Sequence, residues 1–315
     1  YSYSYQWVKG DVQFVSADVM WHEKLIYPFT ALMACKFEVG EFTQMPTVQG
    51  LFKGLKIKTV NSDLSTTVAW SDNPAFVLLD LLTNPRYGCG TSDYQTVGPN
   101  PKDVIVPGIS IDDVDLASIR VAAEYCDKHD IKFNAYINSG ADALDLIRAV
   151  ASSFQGSLIY YGGKVTVVID KKLDSNARSS YRLFTEANVI QEVDESGEVT
   201  EPCFSYEGTA KKARTTAVEV SFVDPNLFYQ EQKESIEDTA AIERYGYNQK
   251  RVRAMGCTSR AQARRFGRYI LASNLLNTET VAFKVASEGA VLLPGDICVI
   301  ADPLKTQILS GGRIS

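Results

Sequence analysis

Residues Gly256–Pro303 read GCTSRAQARRFGRYILASNLLNTETVAFKVASEGAVLLPGDICVIADP and predict a helix, a strand, a turn and a second strand, in that order. Ala263, Phe266 and Ile270 recur at spacings of three and four residues, which places them on one side of a helix. This apolar stripe predicts a helix near 259–275 that packs one face on a core.

The second half of the same segment predicts two strands joined through a turn. Val281, Phe283 and Val285 alternate with Ala282 and Lys284, as residues of a half-buried strand do. Pro294-Gly295-Asp296 is a turn triplet, because proline presets φ and glycine accepts positive φ. The apolar residues 297–300 then predict a buried strand.

Four arginines on the predicted helix form a candidate interface. Arg260, Arg264 and Arg268 repeat every four residues, and Arg265 lies to one side of them. Three interpretations stay open at this point. The arginines are solvated, with their aliphatic stems over apolar neighbours, or they form ion pairs across a subunit interface, or they contact nucleic acid.

Composition narrows the class of protein. The chain has 315 residues, of which 45% are hydrophobic, and this length suggests two or three domains. The formal net charge of −6 argues against nucleic acid as a bound ligand, since phosphate binding needs a basic face. No segment approaches the roughly 20 consecutive apolar residues of a membrane helix.

The cysteines and the two ends of the chain give further expectations. Cys35, Cys89, Cys126, Cys203, Cys257 and Cys298 contain no CxxC pair, and with only two histidines the usual zinc spacings are missing. We therefore predict free thiols in a reducing compartment. The chain starts at YSYSY without methionine and stops at GGRIS, so we expect a fragment of a longer polypeptide.

The order of patterns predicts an α+β, multi-domain fold in which β-barrel-like domains flank a small α/β layer domain. The predicted domains are a β-rich segment at 1–70, an α/β domain at 71–180, and a β-barrel-like domain at 181–315 with the helix near 259–275 inserted in it. Within the α/β domain we predict helices near 74–84, 113–128 and 141–153 and a hairpin at 157–170. Further strands are predicted at 1–7, 29–39, 55–59, 133–137 and 215–223, a long connection at 91–110, and a helix or turn at 235–245.

Helix ends are marked by residues that satisfy free backbone amides. Asp72 or Asn73 can cap the first helix. Pro74 stands at its first position, where the missing amide loses no hydrogen bond. In the later helix, Thr258 or Ser259 stands at the cap position. The turn 86–90 that follows the first helix contains two glycines, but it lacks the Lys-Ser/Thr and the strand-to-helix context of a phosphate-binding loop.

We predict no catalytic, cofactor or metal residues. The carboxylates of one Ser/Gly-containing loop are interpreted as solvated charges: Glu192, Asp194, Glu195, Glu198 and Glu201. His129 stands at a helix end, where a cation interacts favourably with the dipole. His22 has no serine or cysteine motif beside it. Asp296 is interpreted as a turn residue that bonds its own backbone.

Several strings along the chain share a family resemblance. NPAFVLLDLLTNPRYGCG at 73–90 resembles a segment of the tail tip attachment proteins, or host-specificity proteins J, of lambda-like phages. Other similar strings are YPFTAL at 27–32, GLFKGLKI at 50–57, FQGSLIYYGGK at 154–164, YEGTAKKARTT at 206–216 and ERYG at 243–246. Together with 256–303 they cover most of the chain in the family's order.

The resemblance implies a structural protein of the virion tail tip and not an enzyme. It implies a homotrimeric central hub that closes the tail tube, contacts other tail tip and tail tube proteins, and lets DNA pass without binding it specifically. Receptor binding would belong to C-terminal domains beyond this chain, and no cofactor is implied. The alternatives are a receptor- or carbohydrate-binding module and, further behind, a tail-associated cell-wall hydrolase.

Overall fold

The computed structural model describes residues Ser2–Val8 and Asp11–Asp18 as strands, and residues 53–95, 103–106, 108–137, 142–171, 181–192, 196, 202–305 and 310–314. The chain forms two compact units, Tyr1–Gly54 and Leu55–Ser315. In the first unit, β1 (Ser2–Val8) and β2 (Asp11–Asp18) pair antiparallel. This confirms the predicted first strand, whereas the predicted strand at 29–39 lies outside the described residues.

The second unit alternates short strands with five α-helices along its described residues. In chain order its elements are β3 (Lys56–Val60), β4 (Thr66–Trp70), α1 (Pro74–Thr83), β5 (Ser92–Gln95), β6 (Asp103–Val106), α2 (Leu116–Lys128), α3 (Ala143–Ser153), β7 (Gly156–Tyr161), β8 (Lys164–Ile169), β9 (Arg182–Thr185), β10 (Ser205–Gly208), β11 (Ala217–Asp224), β12 (Gln230–Glu237), α4 (Thr239–Tyr245), β13 (Gln249–Arg253), α5 (Arg260–Leu276), β14 (Glu279–Ala282), β15 (Ile297–Ala301) and β16 (Ser310–Arg313).

The first core of this unit lies between α1, α2, α3 and the β7–β8 hairpin. Leu78, Leu79, Ile119 and Phe154 are fully buried in it. Side-chain caps fix where each helix begins, because they accept hydrogen bonds from its free amides. The caps are Asn73 for α1, Asp115 for α2 and Asp142 for α3.

A second core lies between α5 and the sheet β12-β11-β13. In that sheet β11 pairs antiparallel with β12 and parallel with β13. Val218, Val220 and Phe222 alternate along β11 and are buried towards α5. The intervening Glu219 lies on the opposite face with Lys233 and Arg251, so one face of the sheet packs on α5 and the other carries partly exposed charges.

A third core joins the sheet β16-β15-β9 to the β10–β14 pair. The ring of Phe283 contacts those of Phe184 and Phe204, with centroid distances of 4.9 and 5.6 Å. The turn before β15 keeps the predicted role of Asp296, whose carboxylate accepts a hydrogen bond from the amide of Leu293 at 2.9 Å.

The observed fold is α+β, with open sheets of two or three strands along the described residues. The four predicted helices and the 157–170 hairpin are confirmed, although α2 begins at Leu116, after a 3₁₀ turn at Ile111–Asp113. The predicted domain boundaries and the barrel-like architecture stay predictions. None of the helices in the described ranges combines the length and apolar character that crossing a bilayer requires.

Two local predictions were wrong. The stretch 91–110, predicted as a long connection, contains the antiparallel strand pair β5 and β6. The strand predicted at 133–137 is absent, because Phe133, like the neighbouring Ile131, is buried against helices and a loop without a strand alongside to pair with. The helix or turn predicted at 235–245 is confirmed in part, since α4 occupies Thr239–Tyr245 and the first residues of the range belong to the end of β12.

Candidate functional site

Helix α5 carries the four arginines of the candidate interface. Ser259 occupies its N-cap, but no side chain caps the free amides, so the predicted side-chain cap is absent from the described residues. Ala263 is fully buried, and Phe266 and Ile270 pack on the same core. Gly267 lies against the sheet, since a Cβ built there would be 2.5 Å from Ile236 Cδ1. The missing side chain at Gly267 therefore allows α5 to pack closely on the sheet.

Arg260 and Arg264 bind the same carboxylate within the chain. The Nε of Arg260 lies 3.0 Å from Glu234 Oε2, and the Nε of Arg264 contacts Glu234 Oε1. The spacing of four residues places both guanidinium groups on one side of α5, above β12. The Glu234 side chain is 9% exposed, whereas the arginines are 64% and 55% exposed. A buried anion is therefore neutralised by two surface cations.

Arg265 and Arg268 lie on other parts of the helix surface. Arg265 donates a hydrogen bond from Nη2 to the backbone oxygen of Asp130 at 3.1 Å. Arg268 is exposed and has no hydrogen-bond or ion-pair partner among the described residues. The four arginines thus do not act as one group, and the prediction that they form a subunit interface stays a prediction.

A residue that sequence reasoning missed, Gln262, joins α5 to the α/β layer. Its side-chain Oε1 accepts from the amide of Lys132 at 3.2 Å, and its Nε2 donates to the oxygen of the same residue at 3.0 Å. The Gln262 residue is 5% exposed. The side-chain amide of Gln262 thus satisfies both the N–H and the C=O of Lys132, as a neighbouring strand would do for a residue in a sheet.

Gly256 forms the second part of this junction. Its oxygen accepts a hydrogen bond from the amide of Asn134 at 2.8 Å. Its φ is +69°, and a Cβ built there would be 2.4 Å from the buried ring of Phe133. Only glycine combines this dihedral angle with this close contact. Nothing in the periodicity of the sequence indicates such a contact.

The tip of the β11–β12 hairpin presents three apolar side chains to solvent. Leu227, Phe228 and Tyr229 are 46%, 90% and 49% exposed. Phe228 and Tyr229 both adopt the left-handed region, with φ of +52° and +60°, which costs a non-glycine residue about 1–2 kcal/mol. The Asp224 carboxylate and backbone oxygen hold this tip by accepting from the amides of Asn226 and Tyr229.

Three tyrosine hydroxyls form partly buried hydrogen bonds to carboxylates, a set that the sequence did not reveal. Tyr206 donates to the buried Asp302 at 2.7 Å, Tyr269 donates to Asp170 at 2.8 Å, and Tyr87 donates to the buried Asp80. Burial, followed by the bond to Asp302, raises the pKa of Tyr206 to about 12. Burial, followed by the bonds to their carboxylates, also raises the pKa values of Tyr87 and Tyr269.

These shifts predict a loss of stability in alkali. A tyrosine in the unfolded chain ionises near pH 10, whereas these three hydroxyls ionise at higher pH in the folded chain. The stabilisation is therefore complete below about pH 10 and is lost as pH rises towards 12. We expect the urea midpoint to fall between pH 10 and 12, and the triple variant Y87F/Y206F/Y269F to show a weaker fall from a lower starting value. Y160F, at a 76% exposed tyrosine, is the control. Parallel curves for wild type and the triple variant would contradict this prediction.

Residues that sequence reasoning set aside have structural roles. The amides of Gly88, Cys89 and Gly90 donate to carbonyls of residues 81 and 84 at the end of α1, so this turn closes a helix.

Five cysteines, Cys89, Cys126, Cys203, Cys257 and Cys298, are free thiols, and Cys35 lies outside the described residues. Among the described residues, no group of His, Cys, Asp or Glu is arranged to hold a metal.

The acidic loop and the histidines are only partly described. Glu192 pairs with Lys284, while Asp194, Glu195, Glu198 and Glu201 lie outside the described residues, as does His22. His129 caps the C-terminal end of α2, and its ring lies 4.5 Å from that of Tyr125. The local role predicted for His129 at a helix end is therefore consistent with its position.

The known proteins that resemble this chain are phage tail proteins. A family model described as "Putative phage tail protein" matches residues 142–314. Tip attachment protein J of Escherichia phage SECphi27 is 34% identical, over 92% of this chain and 24% of that protein. Tip attachment protein J of Escherichia phage SECphi4 is 26% identical, over 94% of this chain and 25% of that protein.

The chain thus spans about a quarter of the length of these curated relatives. Among solved structures, a chain of the virion of a native gene transfer agent particle matches 60% of this chain and 44% of its own length. The match has a TM-score of 0.42 and 14% identity.

Proposed function

The chain belongs to the phage tail protein family, and on this premise we propose that it is a central hub segment of the tail tip. The resemblance to J-type tip attachment proteins is confirmed, and it supports the proposal of a structural, non-enzymatic role in the virion tail. The proposal goes further in three respects: the hub position, a homotrimeric state, and barrel-like domains that match the tail tube.

One observation carries the proposal. The similarity to the J protein of Escherichia phage SECphi27 runs through 92% of the chain at 34% identity, so it is not confined to one domain or motif. Two contacts of the described residues agree with a structural role. The Glu234 carboxylate is held by two arginines of α5, and the Gln262 amide joins α5 to the α/β layer.

The net charge of −6 is consistent with a conduit wall along which DNA moves without adhering. In the proposed hub, the chain contacts other tail tip and tail tube proteins, and host receptors are bound by domains outside this chain. A trimer whose lumen is strongly basic would contradict the part of the proposal that concerns DNA passage.

Deletion of this segment in a phage that encodes it separates the hub from its alternatives. A hub is required to build the tail, so we expect lysates without complete tails and a loss of plaques of at least about 10⁴-fold. A plasmid that supplies the full-length gene should restore both. A receptor- or carbohydrate-binding module would instead leave intact virions that fail to adsorb.

Immunogold labelling of complete virions gives an independent measurement. Antibody raised against residues 202–305 should place gold at the distal end of the tail. Gold along the whole tail or on the capsid would contradict the tail tip position. Clearing of a peptidoglycan gel by the purified chain would favour the cell-wall hydrolase.

A further inference from the structure

The β3–β4 hairpin has one closed edge and one open edge. Beside β3, the amide of Lys58 donates to Asp80 Oδ1 of α1 at 3.2 Å. The oxygen of Val60 accepts from Arg120 Nη1 of α2 at 3.1 Å. Side chains of two helices therefore satisfy backbone groups along this edge. Strand β4 pairs with β3 alone among the described residues, and every residue from 66 to 70 is exposed.

The register of the hairpin shows which backbone groups of β4 face the open edge, the side of β4 away from β3. Two opposite residues of an antiparallel pair either bond to each other or both face away from the edge that the strands share. Lys58 lies opposite Val68, and the Lys58 amide bonds to Asp80 and not to β4. The N–H and C=O of Val68 therefore face the open edge, as do those of Thr66 two residues earlier, whereas those of Thr67 face β3.

Strand β4 lacks the features that protect an open edge in other proteins. Its sequence, TTVAW, contains no charged residue and no proline, and its pairing with β3 has no bulge. Lysine, proline and bulges are the usual protection, since a row of exposed donors and acceptors attracts another strand. Val68 is 67% exposed and Trp70 is 42% exposed, so apolar surface accompanies the open backbone groups. An extended polypeptide fits this combination, because it supplies backbone donors, acceptors and alternate side chains together.

We propose that β4 is the docking strand for an extended, acidic segment of a different tail protein, which adds to the hairpin as a third strand. Between 53 and 70 the sequence has three lysines and one carboxylate, that of Asp63. Asp63 lies in the turn and is bonded to Ser65. Lys53 and Lys56 are exposed, and Lys56 lies opposite Trp70 at the other end of the hairpin. Acidic side chains on the added strand complement these lysines.

Pairing of β4 with β4 of a second copy does not suit the proposed hub. The same edge meeting itself is an isologous contact, which requires a two-fold axis. A homotrimeric ring has a three-fold axis and no two-fold axis. In this respect the docking strand rests on the proposed function, and it gives the hub a surface for another component of the tail.

Photo-crosslinking in infected cells tests the contact. The full-length gene carries p-benzoylphenylalanine at position 66, in place of an exposed threonine of β4, or at position 160, in place of a tyrosine that is 76% exposed on another hairpin. We expect position 66, and not position 160, to crosslink to a segment of a different tail protein in which apolar and acidic residues alternate. A crosslink within the chain or to a second copy would overturn the proposal, as would the same products from both positions.

A proline at position 68 removes the one amide that the added strand needs there. Because this amide faces the open edge, Val68→Pro should leave the urea midpoint of the purified chain near the wild-type value, whereas Thr67→Pro should lower it. Val68→Pro should reduce the crosslink from position 66 about tenfold or more, since a backbone hydrogen bond and its neighbours are lost. Val68→Thr keeps the amide and the branched side chain, and it should reduce the crosslink less than about twofold. Equal reductions by the two variants would contradict pairing through the backbone.

Amide hydrogen exchange measures the same contact without a substitution. The amide of Val68 should exchange rapidly in the purified chain and at least about tenfold more slowly in purified wild-type tails. The amide of Thr67, which faces β3, should be slow in both samples. Rapid exchange of Val68 in the tails would overturn the docking strand and, with gold at the tail tip, would leave the hub position intact. Slow exchange of Val68 in tails whose gold lies away from the tip would overturn the hub position and leave the docking strand intact.

Discussion

Gly256→Val is expected to lower the free energy of unfolding by about 3 kcal/mol or more. A valine at φ of +69° is strained, because the left-handed region costs a residue with a Cβ about 1–2 kcal/mol, and β-branched residues are outliers there. The new Cβ would also lie 2.4 Å from the ring of Phe133, which is 6% exposed and cannot move freely. Such overpacking adds about 1–3 kcal/mol. Urea unfolding followed by circular dichroism measures the sum.

Gly162→Val separates strain from steric overlap. Gly162 has a φ of +60°, and no atom lies within 4 Å of a Cβ built there. We expect it to lose only the strain contribution of about 1–2 kcal/mol. If the two valine variants were equally destabilised, the close contact between Gly256 and Phe133 would have no energetic importance.

Removal of both Arg260 and Arg264 is expected to cost about 3 kcal/mol of stability. The double variant to alanine leaves the carboxylate of Glu234 at 9% exposure without a cation, and an uncompensated buried charge costs about 3–5 kcal/mol. Glu234→Gln should cost less, about 1 kcal/mol, because the two arginines it leaves are more than half exposed and regain water. A larger loss of stability in the double arginine variant than in Glu234→Gln would show that the two arginines neutralise the Glu234 carboxylate.

The opposite face of the same sheet supplies a matched control. Glu219 also pairs with two cations, Lys233 and Arg251, but it is 21% exposed and both cations are at least 61% exposed. Lys233→Ala/Arg251→Ala should therefore cost about 1 kcal/mol or less. If Arg260 and Arg264 served only a subunit interface, their double variant would unfold at the same urea concentration as the wild-type monomer. That result would contradict the role of the two arginines within the chain.

Local signals in the sequence predicted much of the secondary structure. Asn73 and Pro74 marked the first helix because capping depends on adjacent residues. The glycine pair 162–163 fixed the β7–β8 hairpin, since both residues have positive φ. The apolar spacing of Ala263, Phe266 and Ile270 predicted α5 and its buried face. Each of these features depends on a few neighbouring positions.

The alternating pattern at 133–137 shows the limit of such reasoning. Phe133 is buried as predicted, but Ala135 and Ile137 of the same pattern are exposed. The backbone amides of Ile131, Lys132 and Phe133 bond to Cys126, Gln262 and Asp72 instead of to a strand. Alternation does not report whether a second strand lies alongside, because the partner is distant in the chain.

The sequence by itself thus determined the family, the α+β class, the positions of the helices and the presence of an arginine face. Tertiary structure decided what that face does. Arg260 and Arg264 meet Glu234 from β12, and Arg265 meets the oxygen of Asp130, 135 residues away. Gln262 and Gly256 form their junction with 132–134 across more than 120 positions. Periodicity arises from the geometry of one element, whereas the partner of a charge or a glycine is set only when separate elements pack.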